Sequence, residues 1–99
     1  MAYKDYNKDM AAYMRKRYAN NAEIVRNFKL EKGCMDCGYN GHHAGLEFDH
    51  RESRNGGRTV AGMMGKSIKK IFEEIDKCDV VCSTCHSIRT WNRKQNMGL

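Results

Sequence analysis

Two C-x-x-C pairs, Cys34/Cys37 and Cys82/Cys85, constrain this chain more than any other feature. Residues 38–81, 44 in all, lie between them, so a fold that brings both pairs to one point must turn the intervening segment back on itself. Each pair turns tightly enough for both sulfurs to reach a single ion. Together they supply the four thiolates of a tetrahedral structural Zn2+, with sulfurs at about 2.3 Å. A redox role would place one pair at the start of a helix in a βαβ unit, and neither pair has that setting. The fifth cysteine, Cys78, reads as a small core residue, because a free thiol behaves as a hydrophobe. His42 and His43 read as loop residues, since four cysteines already complete a site.

A metal matters because 99 residues bury only a modest apolar core, and small domains often borrow stability from metals or disulfides. The N-terminal "MAYKDYNKDMAAYMRKRY" is charged throughout, unlike a signal peptide, and no apolar run can span a bilayer. The expectation is a cytoplasmic protein with no membrane association, where reduced thiols bind metal rather than form disulfides. The net charge of +6 points to a polyanionic partner, most often nucleic acid. The plainer reading is a basic solvated surface.

From Asp9 to Lys32 the apolar Met10, Tyr13, Met14, Tyr18, Ala22, Val25 and Phe28 recur at helical spacing. Gly33 is the natural stop. Asn20–Asn21 leaves open a split into two helices. Arg15, Lys16, Arg17, Arg26 and Lys29 are assigned to the outer face, either as solvated charges or along a phosphate backbone. "CMDCGYNGHHAG" reads as a turn with cysteines at its base. "GLEFDH" reads as a short strand, and "RESRNGGRTVAGMMGK" as a basic, Gly-rich loop. Ile68, Ile71, Phe72 and Ile75 predict a helix capped by Ser67. "DVVC" is a second strand, and "STCHSIRTWNRKQ" a terminal helix. Two short strands are marginal alone, so the metal is expected to pin the hairpin with the last helix against it.

Within that hairpin the run "FDHR" places Asp49, His50 and Arg51 together, and "CSTCHSIR" places His86 directly after Cys85. These residues resemble the HNH nucleases, whose ββα-metal unit has Asp-His ending its first strand and a His or Asn opening its helix. Small phage-type members often frame the unit with two C-x-x-C knuckles. The resemblance covers roughly Cys34 to Arg93 and implies an α+β, treble-clef-like core at 34–99 with an N-terminal helical extension at 1–33 packed on it. By position, Asp49 and His86 hold a catalytic Mg2+ or Mn2+, His50 is the general base, and Arg89, a turn beyond His86, steadies the phosphate. Arg51, Arg54, Arg58, Arg89 and Arg93 are the expected DNA contacts. The usual Asn of the return strand is replaced by Lys77, a departure that bears on the orientation of His50 more than on metal binding.

The chemistry is consistent with these roles. Phosphodiester hydrolysis needs a base of near-neutral pKa, which histidine has unperturbed, and a cation to offset charge on the phosphate. Adjacent strand residues point to opposite faces, so Asp49 and His50 share a target only where the strand ends or bulges. Two functions follow: a DNA endonuclease acting as a monomer or weak dimer, nicking or cutting both strands, or a non-catalytic zinc module that binds nucleic acid. Trp91 serves either as a core anchor for the last helix or as a DNA contact.

Overall fold

The computed structural model describes residues 2–52 and 59–96. They form a small α+β structure of three helices and one two-stranded sheet. Helix α1 spans Ala2–Lys32, strand β1 Leu46–His50, helix α2 Ile68–Ile75, strand β2 Cys78–Cys82 and helix α3 Ser83–Asn96. Short 3₁₀ turns lie at His43–Gly45 and Val60–Met63. No described helix is long and apolar enough to cross a membrane.

Helix α1 begins before the expected Asp9 and runs unbroken through Asn20–Asn21. Asn21 does not split it. Its buried amide instead donates to the carbonyls of Met64 (2.9 Å) and Lys66 (2.8 Å), tying α1 to the segment that precedes α2. The helix ends at Gly33, whose φ of +68° is the left-handed conformation that glycine takes without a Cβ penalty. Its N–H bonds back to the Lys29 carbonyl at 2.8 Å. Of the predicted apolar stripe, Ala22 and Val25 are buried and Phe28 packs against them, whereas Met10, Tyr13, Met14 and Tyr18 are exposed. The extension therefore rests on the core through its C-terminal part. Lys29, assigned to the outer face, instead turns inward: it donates to the Leu46 carbonyl at 3.1 Å and lies 5.8 Å from the Phe48 ring centre.

Two apolar clusters meet under the sheet. Ala22, Val25, Val60, Met64, Ile71, Ile75 and Cys78 form one, and Cys34, Leu46, Val80 and Val81 the other. Phe28 and Phe48 touch both, so the clusters act as one core. Phe28 also meets Phe72 edge to face, at 5.2 Å between centroids. Helix α2 follows from its sequence: Ser67 accepts the Lys70 N–H as N-cap, and Ile71 and Ile75 bury the inward face. Ile68, expected on that face, lies in the first turn and is exposed. Cys78 is buried in the core as expected, and burial pushes its thiol up to about 11.

Strands β1 and β2 are antiparallel, with Leu46 opposite Cys82, Phe48 opposite Val80 and His50 opposite Cys78. The register is unbroken to His50, and β1 has no bulge. Helix α3 continues directly from β2 and has no buried residue. Trp91, expected to anchor it, is 62% exposed. His86, Arg89 and Arg93 recur at i, i+3 and i+7, and their contacts to the sheet are ionic. Trp91 falls on the opposite side of that stripe, since residues two apart do not share a helix face.

Candidate functional site

The sheet register fixes the first element of the site. Pairing Leu46 with Cys82 sets the start of β1, nine residues past Cys37, beside the first cysteine of the second C-x-x-C. The Cys34 turn is shaped by Gly38, at φ +82°, whose N–H reaches the Cys34 carbonyl at 2.8 Å. Met35 N–H bonds to the Val80 carbonyl at 2.8 Å, which fastens this turn to β2. The four sulfurs of Cys34, Cys37, Cys82 and Cys85 lie within 4.8 Å of one another, and the Cys37 and Cys82 sulfurs are 3.7 Å apart. A tetrahedral ion with 2.3 Å bonds sets sulfurs about 3.8 Å apart, so these four thiols can hold a metal ion such as zinc. His42 and His43 stand aside, as expected. Their rings stack at 4.5 Å, and His42 Nδ1 accepts the Ala44 N–H at 3.0 Å.

The thiols are also electrostatically uneven. Burial pushes Cys34 up, but backbone N–H groups of Cys82, Cys37 and Asp36 outweigh it and bring the thiol down to about 6. Cys85 is driven the other way by its hydrogen bonds to the Cys82 thiol and by burial. Four thiolates cannot share this space without a cation to offset them, the ordinary linkage between metal binding and proton release.

The second element is the face of β1 that carries Glu47 and Asp49, two residues apart and so on the same side. His86 Nδ1 lies 2.6 Å from Glu47 Oε1, and its Nε2 lies 3.5 Å from Asp49 Oδ1. Ser83 donates to the other Glu47 oxygen at 3.1 Å. A carboxylate only accepts, so the Nδ1 proton of His86 points at Glu47, while Nε2 faces Asp49. The Glu47 carboxyl is held below its usual range, chiefly by the His86 hydrogen bond.

Asp49 is 3% exposed, where an unpaired charge would be costly. Arg93 grips both its oxygens at 2.7 Å, and Arg89 reaches it at 3.0 Å. Burial raises the Asp49 carboxyl, but these hydrogen bonds, Arg93 first, leave it below the usual value. Arg89 also binds Asp36 in a fork, at 2.7 and 2.8 Å, and Asp79 at 2.9 Å. Arg89 thus clamps the Cys34 turn, both strands and α3 together.

His50 occupies the other side of the strand. The unbroken register sends it away from Asp49 and towards α2, where its Nε2 is 2.7 Å from Glu74 Oε2. Contrary to the expectation that a strand end or bulge lets both face one phosphate, Asp49 and His50 do not converge. They stand at the end of β1 on opposite faces. The Glu74 carboxyl is held below its usual range, first by His50. Lys77 Nζ meets the second Glu74 oxygen at 3.3 Å, and the Lys77 carbonyl accepts the Arg51 N–H at 3.1 Å. Lys77 thus ties Glu74 through its side chain and Arg51 through its backbone.

Arg51 turns back on the hairpin. It donates to the carbonyls of Asp76 and Cys78 and pairs with Asp79 at 3.1 Å. Among the expected DNA contacts, Arg51, Arg89 and Arg93 are thus all engaged by carboxylates, while Arg54 and Arg58 lie outside the described residues. Glu47 and Glu74 were not singled out from sequence, though each carried a signal. Glu47 is two residues before Asp49 on a strand, and Glu74 is three beyond Ile71 on the inward face of α2. Comparison with protein-family models, curated proteins and solved structures gives no significant match.

Proposed function

We propose that the chain is a divalent-metal-dependent DNA endonuclease of the HNH type, with zinc on Cys34, Cys37, Cys82 and Cys85, and with His50 as general base. The observation that carries this reading is that His50 and His86 each have one ring nitrogen fixed by a carboxylate, Glu74 and Glu47. Side chains that serve only to fill space have no need of an assigned tautomer, whereas a base and a metal ligand do.

In this reading the Glu74 carboxylate holds the His50 Nε2 proton, so Nδ1 is the basic atom that takes a proton from water. Once Arg93 leaves it, Asp49 would offer carboxylate oxygens, the hard donors preferred by Mg2+ and Mn2+, and His86 would offer Nε2. A bound divalent ion supplies Lewis-acid stabilisation of charge on the phosphate and leaving oxygen. Two protein ligands leave positions for substrate oxygens. Arg93, 45% exposed, can pass from Asp49 to a phosphate as positive charge accumulates at Asp49. Arg89, held by Asp36 and Asp79 as well, stays to fix α3 against the strands.

The test is incubation of purified protein with supercoiled plasmid, with and without Mg2+ or Mn2+. Nicked or linear product that appears only with the ion is the expected outcome.

A second reading is a zinc module that binds nucleic acid without cutting it. It is favoured by the saturation of Asp49 by Arg89 and Arg93 and by the separation of Asp49 and His50 onto opposite faces. Plasmid that stays supercoiled with every divalent ion, yet is retarded in a gel, decides for it.

A further inference from the structure

The arginines nearest Asp49 are occupied, so the positive charge that meets a nucleic acid has to be sought elsewhere. Helix α1 has 31 residues, and among its described side chains the buried ones begin at Asn21. Residues 9–20 stand clear of the core over about 18 Å of helix. Met14, which lies near Gly65, is the link between this stretch and the rest. Tyr13, Lys16, Arg17 and Asn20 follow at i, i+3, i+4 and i+7, which places them on one face. With Asn21 they line an open groove of about 360 Å³. Arg15, two positions from both Tyr13 and Arg17, lies on the other side of the helix. No Asp or Glu occurs between Asp9 and Glu23, so none of these charges has an acidic neighbour one helical turn away, in contrast to Arg51, Arg89 and Arg93.

We infer that this overhanging stretch of α1 is a docking helix for duplex DNA, with Lys16 and Arg17 on phosphates and Tyr13 and Asn20 facing the groove floor. A helix is about 10–12 Å across with its side chains, and the major groove is about 12 Å wide. Its length matches roughly half a turn of duplex. An Asn amide and two long cations on one helix face are the groups that reach base edges and flanking phosphates. Two copies of this chain are a poorer occupant, because packing the stretch on itself would bring like charges together. An anionic membrane is also poorer. Tyr13 and Tyr18 carry hydroxyls and flank the cations, where an interfacial helix segregates a strongly apolar face.

The inference rests on the reading of this chain as one that acts on DNA, and it deepens that reading by naming the surface that binds. The test is binding of a 20-bp fluorescent duplex by the full-length, zinc-loaded protein across a salt series. The variant Lys16→Gln/Arg17→Gln is compared with a control of equal charge change on α2, Lys69→Gln/Lys70→Gln. Loss of two phosphate contacts should weaken binding at least about tenfold near physiological salt and flatten the slope of log K against log salt by up to about 1.8. The control should change affinity less than about threefold. Tyr13→Ala should weaken DNA binding with no change in salt slope, which a purely electrostatic role would not give.

Equal losses in the α1 variant and the control would overturn the assignment while leaving cleavage intact as a separate question. Equal affinity for duplex RNA, whose major groove is too narrow for a helix, would overturn groove insertion. Concentration-dependent dimerisation abolished by Tyr13→Ala, or binding to phosphatidylserine vesicles at least as tight as to DNA, would assign the face to another occupant. DNA binding lost in the α1 variant, from a protein that cuts nothing, would uphold the docking helix and overturn the nuclease.

Discussion

His50 Nε2 lies 2.7 Å from Glu74 Oε2, joining the last residue of β1 to the inward face of α2. This contact fixes Nε2 as the protonated nitrogen and leaves Nδ1 without a partner among the described residues. The side chain of Lys77 is 67% exposed and only steadies Glu74, while its carbonyl, present in any residue, receives the Arg51 N–H.

Glu74→Gln should therefore slow metal-dependent cleavage by about 10-fold to 100-fold, the effect usual for carboxylates that orient a functional imidazole. Affinity for DNA should be unchanged, because Glu74 faces the protein. Single-turnover cleavage and duplex binding, measured together, separate the two. An unaltered rate would show that the pair is only a packing contact.

The purified protein should contain about one zinc per chain by elemental analysis. Apparent binding energies of such thiolate sites are on the order of 10–16 kcal/mol, comparable to or above the whole stability of a small domain. Cys34→Ser or Cys85→Ser should thus lose the cooperative thermal transition. A metal-free protein that melts as the wild type does would contradict the zinc assignment.

The ionic attachment of α3 should be acid-sensitive in a specific way. Arg89 holds Asp36 and Asp79 below the usual carboxylate range, and Arg93 and Arg89 do the same for Asp49 against its burial. A carboxylate depressed in the folded state stabilises fully above its unfolded value, near pH 4, and loses that contribution as pH falls through the folded value. The stability difference between wild type and Arg89→Gln should be constant from about pH 5 to 7 and shrink below about pH 4. Comparing the two proteins cancels the acid release of metal that both undergo. A difference independent of pH would show that Arg89 acts through its bulk alone.

Much of the framework was legible because it follows local rules. The cysteine spacing foretold the convergence of four thiols, Ser67 the cap of α2, Gly33 the stop of α1, and Cys78 a place in the core. The failures were of two kinds. Helical periodicity shows which residues share a face, but not whether anything covers that face. Hence Met10, Tyr13 and Tyr18 stood in a predicted stripe and are exposed, and Trp91 was given an anchoring role that the ionic face of α3 made unnecessary. Charged residues were read outward by default, although Lys29, Arg89 and Arg93 are drawn in by a carbonyl or by acids that are distant in sequence. Arg89 and Asp36 are 53 positions apart, so no local pattern could announce their pairing.

The central claim, that His50 is the base of a metal-dependent nuclease, is tested most directly by His50→Ala on supercoiled plasmid with Mn2+ or Mg2+. Zinc content and duplex affinity are measured on the same preparation. The account predicts a fall in cleavage of about 10²–10⁴-fold, the usual worth of a positioned base, with zinc content and DNA affinity unchanged. Cleavage at the wild-type rate by His50→Ala would contradict it.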